Sequence, residues 1–511
     1  MGLSVKNNVF GRVARLCLLL PVGACVWTPN SRTSHESSAA ISMQGYAATS
    51  GSAVQLLARN WNSGAFELVD TATASTSASF TGPDMYAWSK TLSLAAKFWR
   101  PDQAGCSAGR AEIRAVAGGD PFRTFTDPAG RCAFDKVVID GEHPAAAGNA
   151  CSDGDEVILF DNNGTCGVAE TGGLATVYGP VTGPIDGVSV TWEVVSYPVQ
   201  GNTIYGLICR PSAAGAHPVQ IFNHGGWWGL GYGGEPEACG KWAAKGWVVA
   251  MSSYRGERLH LGPSHSWKSG GSVELCNGEV TDVLRMTDLV LAKPYANSSK
   301  VLMHGLSHGG CITTRAVQRG APVQAAIDVA GPSEWASLYA SLGWWLVGAL
   351  PTDPPTTPFP TLMAGWVGTP SLVPRAYEWR SSKFVAEDLA ARTDVKYLRM
   401  QGTADTIVPP EHACKLAKAA FGSAGSKNWH FNNAAGVTPV APTGCTATDA
   451  SLTWQSGAKP TTSWPDNRYV FVYDALPHVV VPGDGTPPAV ANAFGVDYTN
   501  FVNALNWGVV Y

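Results

Sequence analysis

A serine hydroxyl becomes a useful nucleophile when a neutral imidazole can take its proton and a carboxylate holds that imidazole. Val301-Leu302-Met303-His304-Gly305-Leu306-Ser307-His308-Gly309-Gly310 is an apolar run breaking into G-x-S-x-G, and helix-like Cys311–Val317 follows it. Strand, tight glycine turn and helix leave the serine exposed at the strand's carboxyl end. A second match, Gly105-Cys106-Ser107-Ala108-Gly109, lies in a polar loop with neither flanking element. Ser307 is therefore the candidate nucleophile and Ser107 a decoy. The chemistry it suits is acyl transfer.

Three further segments supply the remaining parts. Val219-Gln220-Ile221-Phe222-Asn223 reads as a buried strand and ends in His224-Gly225-Gly226-Trp227. A loop of this kind supplies one backbone N–H of an oxyanion hole, here from Gly226 or Trp227, with His308 N–H as the second donor. Val395–Met400 leads into Gly402-Thr403-Ala404-Asp405-Thr406-Ile407-Val408-Pro409, where an acid sits just past a strand and ahead of a helix near 411–420. Asp328, after the strand Val323–Ile327, is the rival acid. Tyr469–Tyr473 runs into Leu476-Pro477-His478, which makes His478 the candidate base. His412 and His430 fall in a helix and the loop after it, and His304, His260 and His265 lack a place after a late strand.

The order Ser, Asp, His along the chain distinguishes this arrangement from the chymotrypsin and subtilisin orders. From about residue 190 onward, roughly the last three-fifths of the chain, the sequence resembles the α/β-hydrolase superfamily. Its G-x-S-x-G-G and G-T-A-D-x-x-V-P strings look most like the prolyl-oligopeptidase and dienelactone-hydrolase branch. The resemblance implies a Ser307–His478–Asp405 triad and a serine hydrolase. Strands alternate with helices here: 191–199 and 203–209 as a hairpin, 219–223, 247–252 and 300–304, with helices near 237–245 and 280–292 between them. That alternation implies a mostly parallel sheet with helices on both faces and the site beyond the strands' carboxyl ends. Between about 333 and 374 the pattern lapses into tryptophans and prolines, and in the resembling fold an insertion at this point commonly forms a cap. Trp227, Trp228, Trp344 and Trp345 are candidate walls of a substrate pocket; the other reading is that the cap tryptophans fill the cap's own core.

Single cores rarely exceed about 250–300 residues, so 511 residues imply two domains. Residues 45–189 carry short strands such as Val54–Ala58, Ala65–Val69 and Ala111–Val116 between turn residues, which suggests a small all-β, sandwich-like accessory domain ahead of the catalytic domain at 190–511. Asp153, Asp155 and Asp161 miss the calcium-loop pattern, and Asp161-Asn162-Asn163-Gly164 is also good turn chemistry.

Lys6, Arg12 and Arg15 precede an apolar stretch at 16–22 that is too short to span a bilayer. Val22-Gly23-Ala24-Cys25 resembles a bacterial lipobox, implying a signal peptide at 1–24, a lipid on Cys25 and a polar tether at 25–44. An ordinary secretory signal is the alternative. Export to the cell envelope, or secretion, suits the twelve cysteines. With Cys17 and Cys25 set aside, local pairing suggests Cys106–Cys132, Cys151–Cys166, Cys239–Cys276 and Cys414–Cys445, leaving Cys209 and Cys311 over.

Charged residues make up only 14% of the chain, against about 25% in average soluble proteins, and the net charge is −4. Nothing there calls for a nucleic-acid partner, and membrane contact is expected only through the lipid. The expectation is a monomeric serine esterase without metal or cofactor, taking a small ester substrate. A peptidase is the first alternative, although no blade-length repeat of the usual β-propeller is present. The second is a non-catalytic binding protein on a hydrolase scaffold.

Overall fold

The computed structural model describes residues 173–509, apart from 200–201, 344, 349–352, 371–376, 378–379, 433–435, 446–451 and 479–485, together with the backbone of seven strands between 37 and 160. Those seven strands pair into two small sheets. Ser37–Ala47, Tyr86–Ala96, Phe134–Gly141 and Ile158–Phe160 form one, and Ala53–Asn60, Ala65–Thr73 and Ile113–Val116 the other. Ser37–Ala47 was expected to lie partly in a tether. It is a strand because Tyr86–Ala96 and Phe134–Gly141 pair with it on either side, which its polar composition does not reveal.

The rest of the described chain is built on an eleven-stranded sheet. Its strands are β1 (Ala175–Ile185), β2 (Val188–Val199), β3 (Asn202–Pro211), β4 (His217–Asn223), β5 (Val248–Ser252), β6 (Ala296–Leu306), β7 (Ala325–Val329), β8 (Lys396–Gly402), β9 (Lys427–Phe431), β10 (Val437–Thr438) and β11 (Arg468–Tyr473). Their spatial order is β10-β9-β11-β8-β7-β6-β4-β5-β3-β2-β1. The run from β9 to β5 is parallel, and antiparallel strands flank it at both ends. The sheet starts at Ala175, ahead of the expected boundary at 190. Strand β1 escapes a sequence reading because it is an edge strand, mostly exposed and carrying no apolar run.

Along each central strand successive side chains go to opposite faces, and this divides the core in two. Val301 and Met303 of β6, with Val248 and Ala250 of β5, pack on one side among Val283, Ile312 and Leu416. These last three belong to helices α2 (Gly278–Leu291), α3 (His308–Gln318) and α7 (Glu411–Phe421). Leu302, Val249 and Met251 pack on the other side with Ala243 of α1 (Glu235–Ala244) and Phe501 of α8 (Pro488–Asn503). Strands buried on both faces explain the continuous apolar run at 248–251 and the one at 219–222 that only the buried Gln220 interrupts. Between β7 and β8 the chain makes α4 (Trp335–Ser341), α5 (Phe359–Val367) and α6 (Ala386–Ala391), and the first two fall within the insertion expected at 333–374. Among the described residues no helix is long and apolar enough to cross a membrane.

Candidate active site

Strand β6 ends at Leu306, helix α3 begins at His308, and Ser307 between them has φ 58° and ψ −121°. A non-glycine residue with positive φ is strained, at a cost of about 1–3 kcal/mol, and the surroundings must enforce it. Here the two motif glycines do so by allowing close approach. A Cβ on Gly305 would lie 2.3 Å from the Gly309 carbonyl oxygen, and one on Gly309 would lie 1.9 Å from that of Asn223. The elbow thus sits hard against the end of β4. Only glycines permit that.

Asp405 follows β8 in a turn that wraps its carboxylate. Oδ1 accepts from the backbone N–H groups of Ile407 (3.0 Å) and Val408 (2.7 Å), and Oδ2 accepts from Gln401 Nε2 (3.0 Å). His478, beyond β11, donates from Nδ1 to the same Oδ2 at 2.7 Å. Because the ionised carboxylate only accepts, the proton is on Nδ1 and Nε2 is left as the acceptor. Ser307 and His478 line one cavity of about 670 Å³. Among the described residues the Ser307 hydroxyl makes no hydrogen bond to the ring. Catalytic contacts of this type commonly tighten only when substrate binds.

The rival acid has a different task. Asp328 is fully buried in β7 and ion-paired to Arg399 of β8. It also accepts from Thr314 Oγ1 (2.7 Å), Tyr397 OH (3.1 Å) and Gly331 N–H (2.9 Å). The other histidines are likewise committed. His412 Nδ1 accepts from Ser333 N–H, His430 pairs with Asp474, and His304 lies between Gln220 and Tyr498. His260 stacks on Tyr232, and His265 packs edge-on against Tyr178. Burial pushes His304 and His412 down to about 3, so both are neutral rings of the core.

The H-G-G loop lies against the elbow: a Cβ on Gly225 would come within 3.4 Å of Ser307 Cβ. Gly225, Gly226, Trp227 and His308 all line the cavity. His308 opens α3, so its N–H is among those a helix leaves without an internal partner. His224 is turned away into the core, stacked on Tyr254 at 4.0 Å, and burial pushes it down to about 3. The Trp227 ring stacks on Phe359 (4.5 Å) and meets Trp345 and Trp366 (5.9 Å each), tying the loop to the insertion. Trp228 and Trp345 also line the cavity, and Trp344 lies outside the described residues. Trp335, Leu338, Leu342 and Phe359 complete this apolar wall; no motif in the sequence marks them. The two readings of the tryptophans merge, since the same rings fill the insertion's core and face the cavity.

Disulfides join Cys209 to Cys239, Cys276 to Cys311 and Cys414 to Cys445, with Cα–Cα distances of 5.7, 6.1 and 5.6 Å. The expected Cys239–Cys276 pair is therefore wrong, and Cys209 and Cys311 are not left over. Sheet and helix packing bring Cys209 of β3 under Cys239 of α1, and the loop before α2 onto the first turn of α3. Cys106, Cys132, Cys151, Cys166 and Cys25 lie outside the described residues. No group of three or more potential metal ligands is found among the described residues.

Several solved structures share low similarity with this chain. Pyrococcus horikoshii acylaminoacyl peptidase is 16% identical with a TM-score of 0.37, over 74% of this chain and 46% of that one. A Mycobacterium tuberculosis puromycin-hydrolyzing peptidase is 17% identical with a TM-score of 0.38, over 77% and 46%. Acetyl xylan esterase 1 from Thermoanaerobacterium is 14% identical with a TM-score of 0.37, over 66% and 89%. The chain thus spans less than half the length of the two peptidases. No curated protein matches. Residues 240–433, which include Ser307 and Asp405 but neither the H-G-G loop nor His478, match the model of the Prolyl oligopeptidase family, and that match supports a serine hydrolase on an α/β-hydrolase fold.

Proposed function

We propose that the protein hydrolyses carboxylic esters through an acyl intermediate on Ser307. The observation that carries this reading is the His478–Asp405 hydrogen bond, on the rim of the cavity that holds a strained elbow serine. His478 Nε2 takes the Ser307 proton as Oγ attacks the carbonyl carbon, then gives that proton to the leaving alcohol. Asp405 holds the tautomer and stabilises the imidazolium. The N–H groups of His308 and of Trp227 or Gly226 meet the oxyanion, each worth about 2.7–4 kcal/mol. Water, deprotonated by His478, then releases the acid.

An ester is favoured because the cavity wall is aromatic and aliphatic, suited to an apolar acyl group. The match to the Prolyl oligopeptidase family favours peptide cleavage as a second reading. Labelling by a fluorophosphonate, blocked in Ser307→Ala, tests the mechanism. Rates on p-nitrophenyl esters against acyl-peptide p-nitroanilides separate the two substrates. An unlabelled Ser307 would leave the non-catalytic reading standing.

Export belongs to the same proposal. Three disulfides suit an oxidising compartment, and a lipid on Cys25 would anchor the enzyme at a membrane. Residues before the main sheet would form a separate β-rich module, and the enzyme would act as a monomer.

A further inference from the structure

We propose that the His308 side chain positions the oxyanion hole by fixing the Gly226–Trp227 peptide, so that the Trp227 N–H is held toward the cavity beside Ser307. This rests on the hydrolase reading above and adds a residue that G-x-S-x-G does not require to be histidine.

The roles of the two ring nitrogens are forced by their partners. Nδ1 lies 2.9 Å from the Gly226 carbonyl oxygen, which can only accept, so Nδ1 carries the proton. Nε2 lies 3.0 Å from the Cys276 N–H, which can only donate, so Nε2 accepts. The ring is a bridge between two backbones. Carbonyl and N–H of one trans peptide point in opposite directions. Holding the Gly226 carbonyl therefore holds the Trp227 N–H away from the ring. Such a tie is needed because Gly226 sits at φ +71°, where glycine rotates with little steric resistance.

The far end of the bridge is well anchored. Cys276 is disulfide-bonded to Cys311 in the first turn of α3. Its neighbours Glu274, Leu275 and Asn277 all donate backbone N–H groups to the Glu279 carboxylate. The ring is wedged edge-on between Tyr254 (5.9 Å) and Trp335 (6.0 Å), which keeps it from swinging. Burial holds its pKa below the usual histidine range, against the pull of Glu279 and the Gly226 carbonyl, so Nε2 stays an acceptor. One residue thus gives the first oxyanion donor from its backbone and aims the second with its ring.

Two variants separate positioning from packing. In His308→Asn the amide N–H stands near the place of Nδ1 and can still reach Gly226. In His308→Gln the longer side chain reaches Cys276 but offers nothing to Gly226. Rates on a short p-nitrophenyl ester are normalised to sites titrated by a fluorophosphonate, with thermal unfolding in parallel. His308→Gln is expected to lose about 10²-fold in kcat with KM within about twofold, because a misaimed oxyanion donor acts only in the transition state. Its affinity for a phenylboronate transition-state mimic should fall in step. His308→Asn should stay within about fivefold of wild type on both measures. Equal kcat losses in the two variants, a change confined to KM, or a His308→Gln protein that cannot be obtained folded would each overturn the proposal. A wild-type enzyme unlabelled at Ser307 would overturn the hydrolase reading instead, and the clamp with it.

Discussion

Replacing Asp405 by asparagine is the most exacting test of the site, because the structure fixes which way the new amide must turn. Two backbone N–H groups, of Ile407 and Val408, converge on Oδ1. The asparagine oxygen will take that place, since an NH2 there would face two donors. Its NH2 must then occupy the place of Oδ2, opposite His478 Nδ1 and Gln401 Nε2. Gln401 cannot turn over to relieve this: its Nε2 also donates to the Val408 carbonyl and its Oε1 accepts from Arg399. His478 is left to relent, moving its proton to Nε2 and so facing Ser307 with a donor where a base is needed. In the Ser-His-Asp template the wrong tautomer costs about 10⁴ in kcat, or about 5.5 kcal/mol at 1.36 kcal/mol per factor of ten. We expect that loss in Asp405→Asn, with KM for a short p-nitrophenyl ester nearly unchanged. A kcat within tenfold of wild type would show that this carboxylate does not set the tautomer.

Asp328→Asn should behave in the opposite way, holding kcat per titrated site while lowering the unfolding midpoint, since a buried Arg399 without its partner costs about 3–5 kcal/mol; lost turnover in a fully folded protein would contradict this. Ser307→Ala should abolish ester hydrolysis with little change in thermal unfolding, and Ser307→Gly should be the more stable by about 1 kcal/mol, because it relieves the positive φ. His224, His304 and His412 are each held near 3 against an ordinary 6.5. Their neutral burial is fully compatible with folding above pH 6.5 and is penalised as pH falls from there toward 3, by about 2 kcal/mol each at pH 5. Asp282, raised to about 6 by burial, works in the other direction and returns about 1 kcal/mol at pH 5. Buried Glu257 and Asp497, also raised, oppose the histidines in the same way. The test is therefore a difference: between pH 7.5 and pH 5, urea unfolding should show wild type losing about 2 kcal/mol relative to His304→Gln, and an unchanged difference would refute the shift. Mass spectrometry of the mature protein from a bacterial membrane fraction should find a lipid-bearing Cys25 at its N-terminus, and a soluble product starting beyond residue 25 would exclude the anchor.

What was legible in the sequence was what depends on neighbours along the chain. The strand, tight turn and helix around Ser307 could be read because they are contiguous from Val301 to Val317, and the places of Asp405 and His478 because each follows its own apolar strand. That Asp328 is tied to Arg399 one strand away was not legible, because pairing in a sheet is not written in either segment. The local pairing held for Cys414–Cys445 and failed for Cys239–Cys276 for the same reason. Cys276 and Cys311 are 35 residues apart, yet the packing of α2 beside α3 makes them partners. The exposed strand β1 offers no apolar signal, so the start of the sheet went unseen. The His308 bridge was beyond reach, because its partners are a carbonyl and an N–H, which every residue but proline also carries.

The ion pair between Asp328 and Arg399 bears on how such a site can change over evolutionary time. Two neighbouring strands each present an aspartate near the same edge, which invites the idea of an acid migrating from one to the other by small steps. Here that route is closed. Asp328 fastens β7 to Arg399, to Thr314 of α3 and to the Gly331 turn, so freeing it for a histidine would first orphan the buried Arg399 guanidinium. If Asp405 is the acid, as proposed, a lineage descending from this chain keeps it on β8 unless both members of the pair are replaced together.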